Sequence, residues 1–426
     1  MKQYKELYIK ICVEFCRLLI GSVFVFSGTV KAIDPVGGAI KINDYLIAFG
    51  LDVFKPLSTL LSFNLSALEF TLGICIFFGI YRKYAAILTF LFMSGMTVLT
   101  LYLALFDPVS DCGCFGDAII LTNWQTFYKN VVLLIASVAI LFYNTRLSSW
   151  YTFKAYWVVT VFSFIFCSFF AYANYSHLPV IDFRPYKVGA NIRQLMEIPE
   201  GAPQDEYKYA FIYEKNGVEK EFSLDSLPDS TWTFVKENNV LLKKGYTPPV
   251  SSFNIYDKEG VDETSSILEN DEGVFLLISP DLRNAYDFKI DEINSVYDYA
   301  RDRGMMFWGV TCSDEEAIQH WYDNTGAEYE FLNADDVLLK TIIRSNPGLV
   351  LLKEGKILGK WHYNDIPSED NMVSVFDALL NNSAGVSVES SFPLMYVFTF
   401  SVTLLLIWIY DYFRNRKRGV VEKKNL

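Results

Sequence analysis

The chain has 426 residues, of which 52% are hydrophobic, 16% aromatic and 20% charged. The hydrophobic residues form long blocks, which indicates a membrane protein. The net charge of −12 is unevenly distributed, because residues 178–391 contain 38 acidic and 19 basic residues, a net of −19, and the remainder carries +7. Such an acidic segment repels nucleic acid and anionic lipid, so neither is expected as its partner.

Six apolar stretches predict helices that cross a lipid bilayer. A hydrocarbon core about 30 Å thick requires roughly 20 apolar residues in a helix. Four stretches contain at most one charged residue, and the other two carry charges near an end that can reach the interface. The first stretch lacks a small-residue cleavage site and is expected to be an uncleaved anchor. The stretches are 11–30, 57–80, 84–106, 124–143, 155–175 and 392–410.

The distribution of lysine and arginine predicts the orientation of these spans. Basic residues near both termini, at 82–83 and at 146–154 fall on one side, which the positive-inside rule places in the cytoplasm. The loop 107–123 and the segment 178–391 are then exported. We therefore expect a multi-pass protein of the bacterial inner membrane with both termini cytoplasmic and residues 178–391 in the periplasm, where disulfides persist.

The exported loop contains Cys112 and Cys114, separated by Gly113 and flanked by Asp111 and Asp117. Two thiols separated by a glycine can close a strained, labile disulfide, because glycine permits the tight bend. The aspartates are expected to raise the thiol pKa values and disfavour the thiolate. A redox pair, a metal site and a tight structural turn are alternatives, although no further metal ligands occur at useful spacing.

Ionisable residues interrupt two of the predicted spans. Glu14 and Arg17 lie in the first span and Glu69 lies in the second. Such groups are costly in a bilayer, so they pair with one another or line a functional cavity. We expect Arg17 to pair with Glu69, either in a site or as a static ion pair that orients two helices.

These motifs resemble DoxX-like membrane proteins of the methylamine utilisation protein MauE type. The similarity covers residues 8–145, and Cys-Gly-Cys-Phe-Gly is its most specific element. It implies a four-helix membrane module, in a group associated with thiol redox and the maturation of exported proteins. The candidate redox residues are Cys112 and Cys114, supported by Arg17, Lys31, Glu69, Asp111 and Asp117. The resemblance rests on Arg17-Leu-Leu-Ile-Gly21, Phe26-Ser-Gly-Thr-Val-Lys31, Asp34-Pro35, Glu69, Gly73, Asp107-Pro108 to Asp117, and Asn123-Trp-Gln-Thr-Phe127.

The exported segment predicts an α/β domain after residue 248. Apolar runs at 274–278 and 307–310 indicate buried strands, and amphipathic patterns at 285–303, 314–325, 338–343 and 370–380 indicate helices. A hairpin is expected at 348–352 and 356–361. The order of elements, an entry segment at 248–260 and the turn Arg344-Ser-Asn346-Pro347 resemble an extracytoplasmic thioredoxin-like domain. This resemblance implies a cis Pro347, with Asn346 and Pro347 as a peptide-docking turn.

The same segment departs from the thioredoxin family at its active site. The family's thiols would follow the 274–278 strand, but residues 279–285 contain no cysteine, and none occurs between Cys167 and Cys312. We expect Cys312 to be a lone buried cysteine. Upstream, residues 207–213 and 218–222 predict a hairpin around Asn216-Gly217, with Trp232 and Phe234 packing it against the core.

The predicted fold class is an α-helical membrane bundle, a four-helix module plus two further spans, with an inserted α/β thioredoxin-like domain. Two functions fit: thiol-disulfide redox or maturation of exported proteins, and a non-catalytic binding or assembly module of the envelope. Expected partners are the lipid bilayer and exported proteins or peptides; no metal or other cofactor is evident, and a quinone has no supporting motif. The units are 8–145, 153–175, 178–247, 248–390, 392–412 and a basic tail at 413–426.

Overall fold

The computed structural model describes residues 2–109, 111–215, 217–223, 226–243, 245–381 and 392–424. Its first part is helical, as the long apolar blocks predict. The chain turns sharply at Asp34, whose carboxylate accepts a hydrogen bond from Gly37 N–H (2.8 Å) and so begins the second helix. The helices of this part are α1 (Lys2–Ile33), α2 (Pro35–Ala48), α3 (Ser58–Phe78), α4 (Arg82–Phe106), α5 (Asn123–Tyr143) and α6 (Tyr156–Ser176).

The second part is an α/β region followed by a long C-terminal helix. Its strands are β1 (Glu206–Lys215), β2 (Val218–Ser223), β3 (Thr233–Lys243), β4 (Ile255–Tyr256), β5 (Val274–Ser279), β6 (Met306–Thr311), β7 (Phe331–Ala334), β8 (Gly348–Lys353) and β9 (Lys356–His362). Its helices are α7 (Ile192–Met196), α8 (Thr264–Leu268), α9 (Ile290–Asp302), α10 (Glu315–Thr325), α11 (Asp336–Ile342), α12 (Glu369–Asn381) and α13 (Phe392–Lys424).

Within the described residues, five helical segments are long and apolar enough to cross a membrane. They coincide with five of the six predicted stretches, which confirms a multi-pass membrane protein. The stretch 11–30 is not among them, so its crossing stays a prediction, although α1 buries Val13, Ile20 and Phe24 in the core of the bundle. The five segments are Asp52–Phe78, Arg82–Phe106, Asn123–Arg146, Tyr156–Ser176 and Pro393–Arg414.

Glycine allows α1 and α3 to approach closely. A Cβ added to Gly28 would lie 2.5 Å from Phe70 N and 2.7 Å from Ser66 O, and one added to Gly73 would lie 2.7 Å from Val25 N. Backbone atoms are therefore in contact where side chains would normally separate the helices, as in other membrane helix pairs with small residues. The two helices run antiparallel, since earlier residues of α1 face later residues of α3.

A six-stranded mixed sheet forms the centre of the α/β region, in the order β4-β7-β6-β5-β8-β9. Strands β5, β6 and β7 are parallel, whereas β8 and β9 form an antiparallel hairpin beside β5. Every residue of β5 is buried, with Phe275 and Leu277 in one hydrophobic core and Val274, Leu276 and Ile278 in another. The sheet is therefore covered on both faces, and an α/β architecture is confirmed.

The smaller sheet has the antiparallel order β2-β1-β3. Strands β1 and β2 confirm the predicted hairpin, although Asn216 lies outside the described residues. The aromatic side chains pack within this sheet: the Trp232 ring lies 5.2 Å from Phe222, and Phe234 lies 5.7 Å from Tyr213. With Phe234 more than half exposed, the expectation that it anchors the sheet to the main core is wrong.

Candidate thiol site

The loop that carries the two cysteines joins α4 to α5 and is fixed to the start of α5. Asn123, the first residue of α5, donates from Nδ2 to Asp107 Oδ1 (2.7 Å) and to the carbonyl of Val109 (2.9 Å). Because Asn123 is buried, these hydrogen bonds are protected from water. These hydrogen bonds hold the two ends of the loop together, where α4 ends and α5 begins.

The two sulfur atoms are in contact. Cys112 Sγ and Cys114 Sγ lie 2.9 Å apart, and both are free thiols. Gly113 makes the bend between them, because its φ of +63° lies in the left-handed region that favours glycine. Its N–H donates to Asp111 Oδ1 (2.9 Å), which stabilises the turn. The loop therefore presents both thiols side by side.

Contact between the thiols separates their pKa values. The hydrogen bond from Cys112 lowers the pKa of Cys114, against the effect of burial, and the positive charges of Lys129 and Lys31 lower it further. The pKa of Cys112 is raised by the same hydrogen bond and by burial. These opposite directions make Cys114 the more acidic thiol of the pair, because Lys129 and Lys31 favour its charged form.

The expected effect of the flanking aspartates is not what the structure shows for Cys114. Asp111 forms an ion pair with Lys41 (2.7 Å), and Asp117 forms one with Arg344 (3.0 Å). The negative charge of each aspartate is thus balanced by a cation. These cations lie far from the loop in the sequence, so the sequence alone did not predict the pairs. The prediction that both thiol pKa values rise is wrong for Cys114.

The short helix α2 clamps the thiol loop from one side. Tyr45 donates from its hydroxyl to the carbonyl of Cys112 (2.7 Å), four residues after Lys41, which binds Asp111. Residues four apart share one face of a helix, so α2 reaches two neighbouring positions of the loop. Burial and the adjacent thiols raise the pKa of Tyr45, which keeps the hydroxyl a donor.

A buried polar cluster in the bundle supports the loop from the other side. Lys31 Nζ lies 2.6 and 2.7 Å from the two carboxylate oxygens of Glu69. Ser27 Oγ lies 2.6 Å from Glu69 Oε2 and 2.8 Å from the carbonyl of Cys114, and it accepts from Lys31 (3.2 Å). Since a hydroxyl has one proton, Ser27 serves one of these two acceptors at a time.

Arg17 is not part of this cluster, so the predicted pair with Glu69 is wrong. Its guanidinium pairs with Glu14 (2.8 Å) and donates to the carbonyl of Ser148 (2.8 Å). Arg17 lies about four helical turns before Lys31, roughly 21 Å along the axis of α1. Because α3 runs antiparallel to α1, Glu69 faces the Lys31 end.

A cavity of 160 Å³ adjoins the thiols. Both cysteines line it, together with Tyr45 and the two lysines of the surrounding ion pairs. Carboxylates from Asp34 and Asp117 contribute to the same wall. The thiols therefore face a small cavity whose wall combines these charged groups with apolar side chains such as Leu65 and Met96.

Arg344 joins the α/β region to this wall. Its Nε lies 3.0 Å from Asp34 Oδ2, its Nη2 lies 3.0 Å from Asp117 Oδ2, and its Nη1 donates to the carbonyl of Lys340 (2.6 Å). The Arg344 side chain is only 8% exposed. Burial raises the pKa of Asp117, and Arg344 opposes that rise. One guanidinium thus links the thiol loop, the start of α2 and the end of α11.

A second charged cluster holds α11 in place. Asp182 accepts from Arg184 Nε (2.9 Å) and Lys360 Nζ (2.7 Å), and Arg184 also donates to the carbonyl of Thr341 (3.1 Å). Burial lowers the pKa of Lys360 to about 8, although Asp182 opposes the shift. These contacts fix the C-terminus of α11, from which Arg344 reaches the membrane bundle.

The Asn346–Pro347 peptide bond is cis, as expected. The Asn346 carbonyl accepts a hydrogen bond from Tyr286 N–H (3.0 Å), and the Pro347 carbonyl accepts from Ser345 Oγ. The Asn346 side chain is also engaged, with Ser279 (2.7 Å). A peptide that docked here would have to displace Tyr286, so the docking role of Asn346 and Pro347 stays a prediction.

Cys312 is exposed, which contradicts the expectation of a buried cysteine. It follows the last residue of β6, at the carboxyl edge of the sheet, where the side chain leaves the core. Its Sγ donates to the carbonyl of Pro280 (2.9 Å), and burial on that side together with Asp336 raises its pKa. In the described α/β region no other cysteine accompanies it.

The structure gathers most of the predicted site residues into one place: Cys112, Cys114, Lys31, Glu69, Asp111 and Asp117. Sequence reasoning gave no role to Tyr45, Lys41 or Arg344. The only signal for Arg344 was its place before the Asn346–Pro347 turn. Throughout the described ranges, no group of three or more His, Cys, Asp or Glu side chains is arranged to hold a metal ion.

The fold and the site define a multi-pass membrane protein with a thiol loop beneath an α/β region. Residues 9–143 match the family described as methylamine utilisation protein MauE, which supports the predicted resemblance of the membrane bundle. Residues 207–244, which hold the small sheet, match a domain of unknown function, DUF8463. Neither match covers the larger sheet. No curated protein matches the chain.

Proposed function

We propose that Cys112 and Cys114 form a reversible thiol-disulfide pair that supports redox chemistry or maturation of exported proteins. The observation that carries the proposal is the contact between the two sulfur atoms at 2.9 Å, within a loop clamped from both sides. A structural turn requires Gly113 but does not require two thiols in contact. The opposite directions of the two thiol pKa values also suit exchange, because the thiolate is the nucleophile.

In the reductive direction, the Cys114 thiolate attacks one sulfur of a partner protein's disulfide. The partner's sulfur–sulfur bond breaks, a mixed disulfide forms, and the partner's first sulfur leaves as a thiolate that takes up a proton. Cys112 then loses its proton and attacks Cys114 Sγ, which releases the partner's second thiolate. The partner gains two electrons, and Cys112 and Cys114 become a disulfide. Maturation by oxidation is the same sequence reversed.

The α/β region is the proposed thioredoxin-like domain of the protein. Its central order β6-β5-β8-β9, with a parallel pair beside an antiparallel hairpin, and its cis Pro347 support this assignment. The region has no cysteine at residues 279–285. We therefore assign the redox step to the membrane loop and give the α/β region the role of presenting or admitting partners.

A non-catalytic binding or assembly module is the second candidate. The observation that favours it is a pair of exposed aromatic side chains beside the cis-proline turn, Tyr286 at 44% and Phe288 at 77% exposure. Exposed aromatic residues are enriched where proteins bind partners. If a double Cys112→Ser and Cys114→Ser strain retains normal disulfides in its exported proteins, this candidate replaces the redox function.

The proposed location is the bacterial inner membrane, with both termini cytoplasmic and residues 178–391 in the periplasm. The uneven distribution of basic residues supports this orientation. An alkaline phosphatase fused after Asp205 should be active, and one fused after Arg146 should be inactive. The reverse pattern would place the thiols in the reducing compartment and remove the basis for the redox proposal.

Trapping of mixed disulfides tests the redox function directly. Cys112→Ser leaves the attacking thiolate but removes the thiol that resolves the intermediate, so adducts with partner proteins should accumulate. Cys114→Ser is the matched control, because it removes the attacking thiolate and should yield few adducts. Equal adduct levels in the two variants, or none in either, would contradict the assignment of these roles.

A further inference from the structure

The residues that line the thiol cavity all belong to the membrane bundle, and two of them bind the α/β region. Asp34 and Asp117, which line it, are the two carboxylates that Arg344 binds. The guanidinium packs tightly against Gly37, because a Cβ added to that residue would lie 2.9 Å from Arg344 Nη2. The guanidinium therefore lies over the first turn of α2, directly beside the cavity wall.

The cavity is too small for the partner that the proposed function requires. Its volume is 160 Å³, whereas pockets that hold drug-sized ligands occupy roughly 300–1,000 Å³. A few water molecules or a small reagent fit, but a polypeptide segment with a disulfide does not. Cys112 is buried and Cys114 is only partly exposed, so a bulky exchange partner reaches the pair only if part of the cavity wall moves.

We propose that Arg344 is a latch that ties the start of α2 to the thiol loop through Asp34 and Asp117, and that release of these contacts lets the cavity wall open and admits a polypeptide partner to Cys112 and Cys114. The inference deepens the proposed function, since it concerns access to the same thiols. The open state requires Arg344 to leave Asp34 and Asp117 while its own region stays folded. On opening, the contacts of Arg344 to Asp34 and Asp117 break. The hydrogen bond of Arg344 to the carbonyl of Lys340 lies within the α/β region and can remain.

The chemistry of the contact suits a reversible latch. Asp117 retains 32% exposure, so water can replace the guanidinium at one of the two carboxylates.

Residue-resolved alkylation tests the latch. Full-length protein, purified in detergent and reduced, is pulsed with a bulky polyethylene glycol maleimide, and modification at residues 112 and 114 is measured by mass spectrometry. Arg344→Ala should raise the rate at these thiols by roughly tenfold or more, because the rate follows the open fraction. The rate at exposed Cys312, measured in the same sample, should not change.

The matched control is Arg283→Ala. Arg283 belongs to the same α/β region and forms an exposed ion pair with Asp314 (2.8 Å), so its removal breaks a contact within that region. It should leave labelling of the membrane thiols at the wild-type rate. A rise equal to that of Arg344→Ala would mean that general loosening, rather than the latch, exposes the thiols.

A second variant covers the case in which Arg344→Ala fails to fold. Asp34→Asn combined with Asp117→Asn releases the same guanidinium without altering the α/β region. Wild-type labelling rates in this folded variant would overturn the latch. Because alkylation needs no redox turnover, the latch can fail while adduct trapping succeeds, and adduct trapping can fail while the latch is confirmed.

Discussion

Lys31 and Glu69 form a buried ion pair directly beneath the thiol loop, with Lys31 Nζ 2.6 Å from Glu69 Oε1. Their side chains are 10% and 4% exposed. Ser27 connects the pair to the carbonyl of Cys114. The pair therefore links the packing of α1 against α3 to the position of one thiol.

Removal of one member of this pair should be more harmful than removal of both. Lys31→Met or Glu69→Met leaves a buried charge without its partner, which costs about 3–5 kcal/mol, whereas the double variant leaves no uncompensated charge. Thermal unfolding in detergent measures the effect. The matched control is the exposed pair Lys55 and Asp52, whose removal should change little. Additive losses in the double variant would contradict the pairing.

The close approach of α1 and α3 predicts a position-specific effect of glycine substitution. Gly28→Ala places a Cβ 2.5 Å from Phe70 N, so the helices must separate, at a cost of about 1–3 kcal/mol. Gly95→Ala in α4 is the control, because its Cβ meets nothing within 4 Å. That change should be neutral or stabilising by up to about 1 kcal/mol. Folded yield and thermal unfolding compare the two, and equal losses would refute the contact.

His362 predicts a loss of stability of the α/β region in acid. Burial, with a smaller effect of His177, lowers the pKa of His362 to about 4, and its Nδ1 accepts from Asn364 N–H (3.3 Å). The unfolded chain, with a histidine pKa near 6.5, binds the proton more strongly. The stabilisation is therefore complete above pH 6.5 and is lost as the pH falls towards 4, by up to about 3 kcal/mol.

The variant His362→Gln isolates this contribution, because it removes the titrating group. Thermal unfolding followed by tryptophan fluorescence should show a steeper acid loss for the wild type than for the variant. His320→Gln is the control, since His320 is exposed and bonded only to Asn324 among the described contacts. If His362→Gln lost stability with falling pH as steeply as the wild type, the acid sensitivity would not come from His362.

The thiols should differ sharply in their contribution to exchange with a small aromatic disulfide. Cys312→Ser should leave the exchange rate of the full-length protein largely unchanged, because Cys312 has no second thiol and its pKa is raised. Cys114→Ser should remove most of this exchange, whose rate in the wild type is limited by opening of the cavity. The release of coloured thiol measures both rates. Exchange that depends on Cys312 would move the active thiol to the α/β region.

Local patterns predicted most of the fold. Apolar blocks marked five spans, and the hydrophobic periodicity after residue 248 marked β5, β6, the β8–β9 hairpin and α10 to α12 within a few residues. The start of α9 was placed too early, because Tyr286 extends to bond Asn346 rather than continuing a helix. The short strand β7 was missed, since four residues give little periodic signal.

The candidate site was less predictable, because its contacts join distant parts of the chain. The Cys-Gly-Cys motif marked the thiols, but the choice between Arg17 and Lys31 as partner of Glu69 depends on helix register, which composition does not encode. Arg344 reaches Asp34 across 310 residues. The lowered pKa of Cys114 follows first from its hydrogen bond with Cys112 and then from the charges of Lys129 and Lys31, so reasoning from the adjacent aspartates gave the wrong direction for that thiol.

The redox state of Cys112 and Cys114 in living cells tests the central claim most directly. Cells are quenched with acid, free thiols are alkylated, and the peptide that contains both cysteines is quantified by mass spectrometry with and without prior reduction. A reversible pair predicts a substantial disulfide-bonded fraction, which falls when the cells are treated with a reductant and recovers after its removal. A pair that stays fully reduced under all of these conditions would contradict the account.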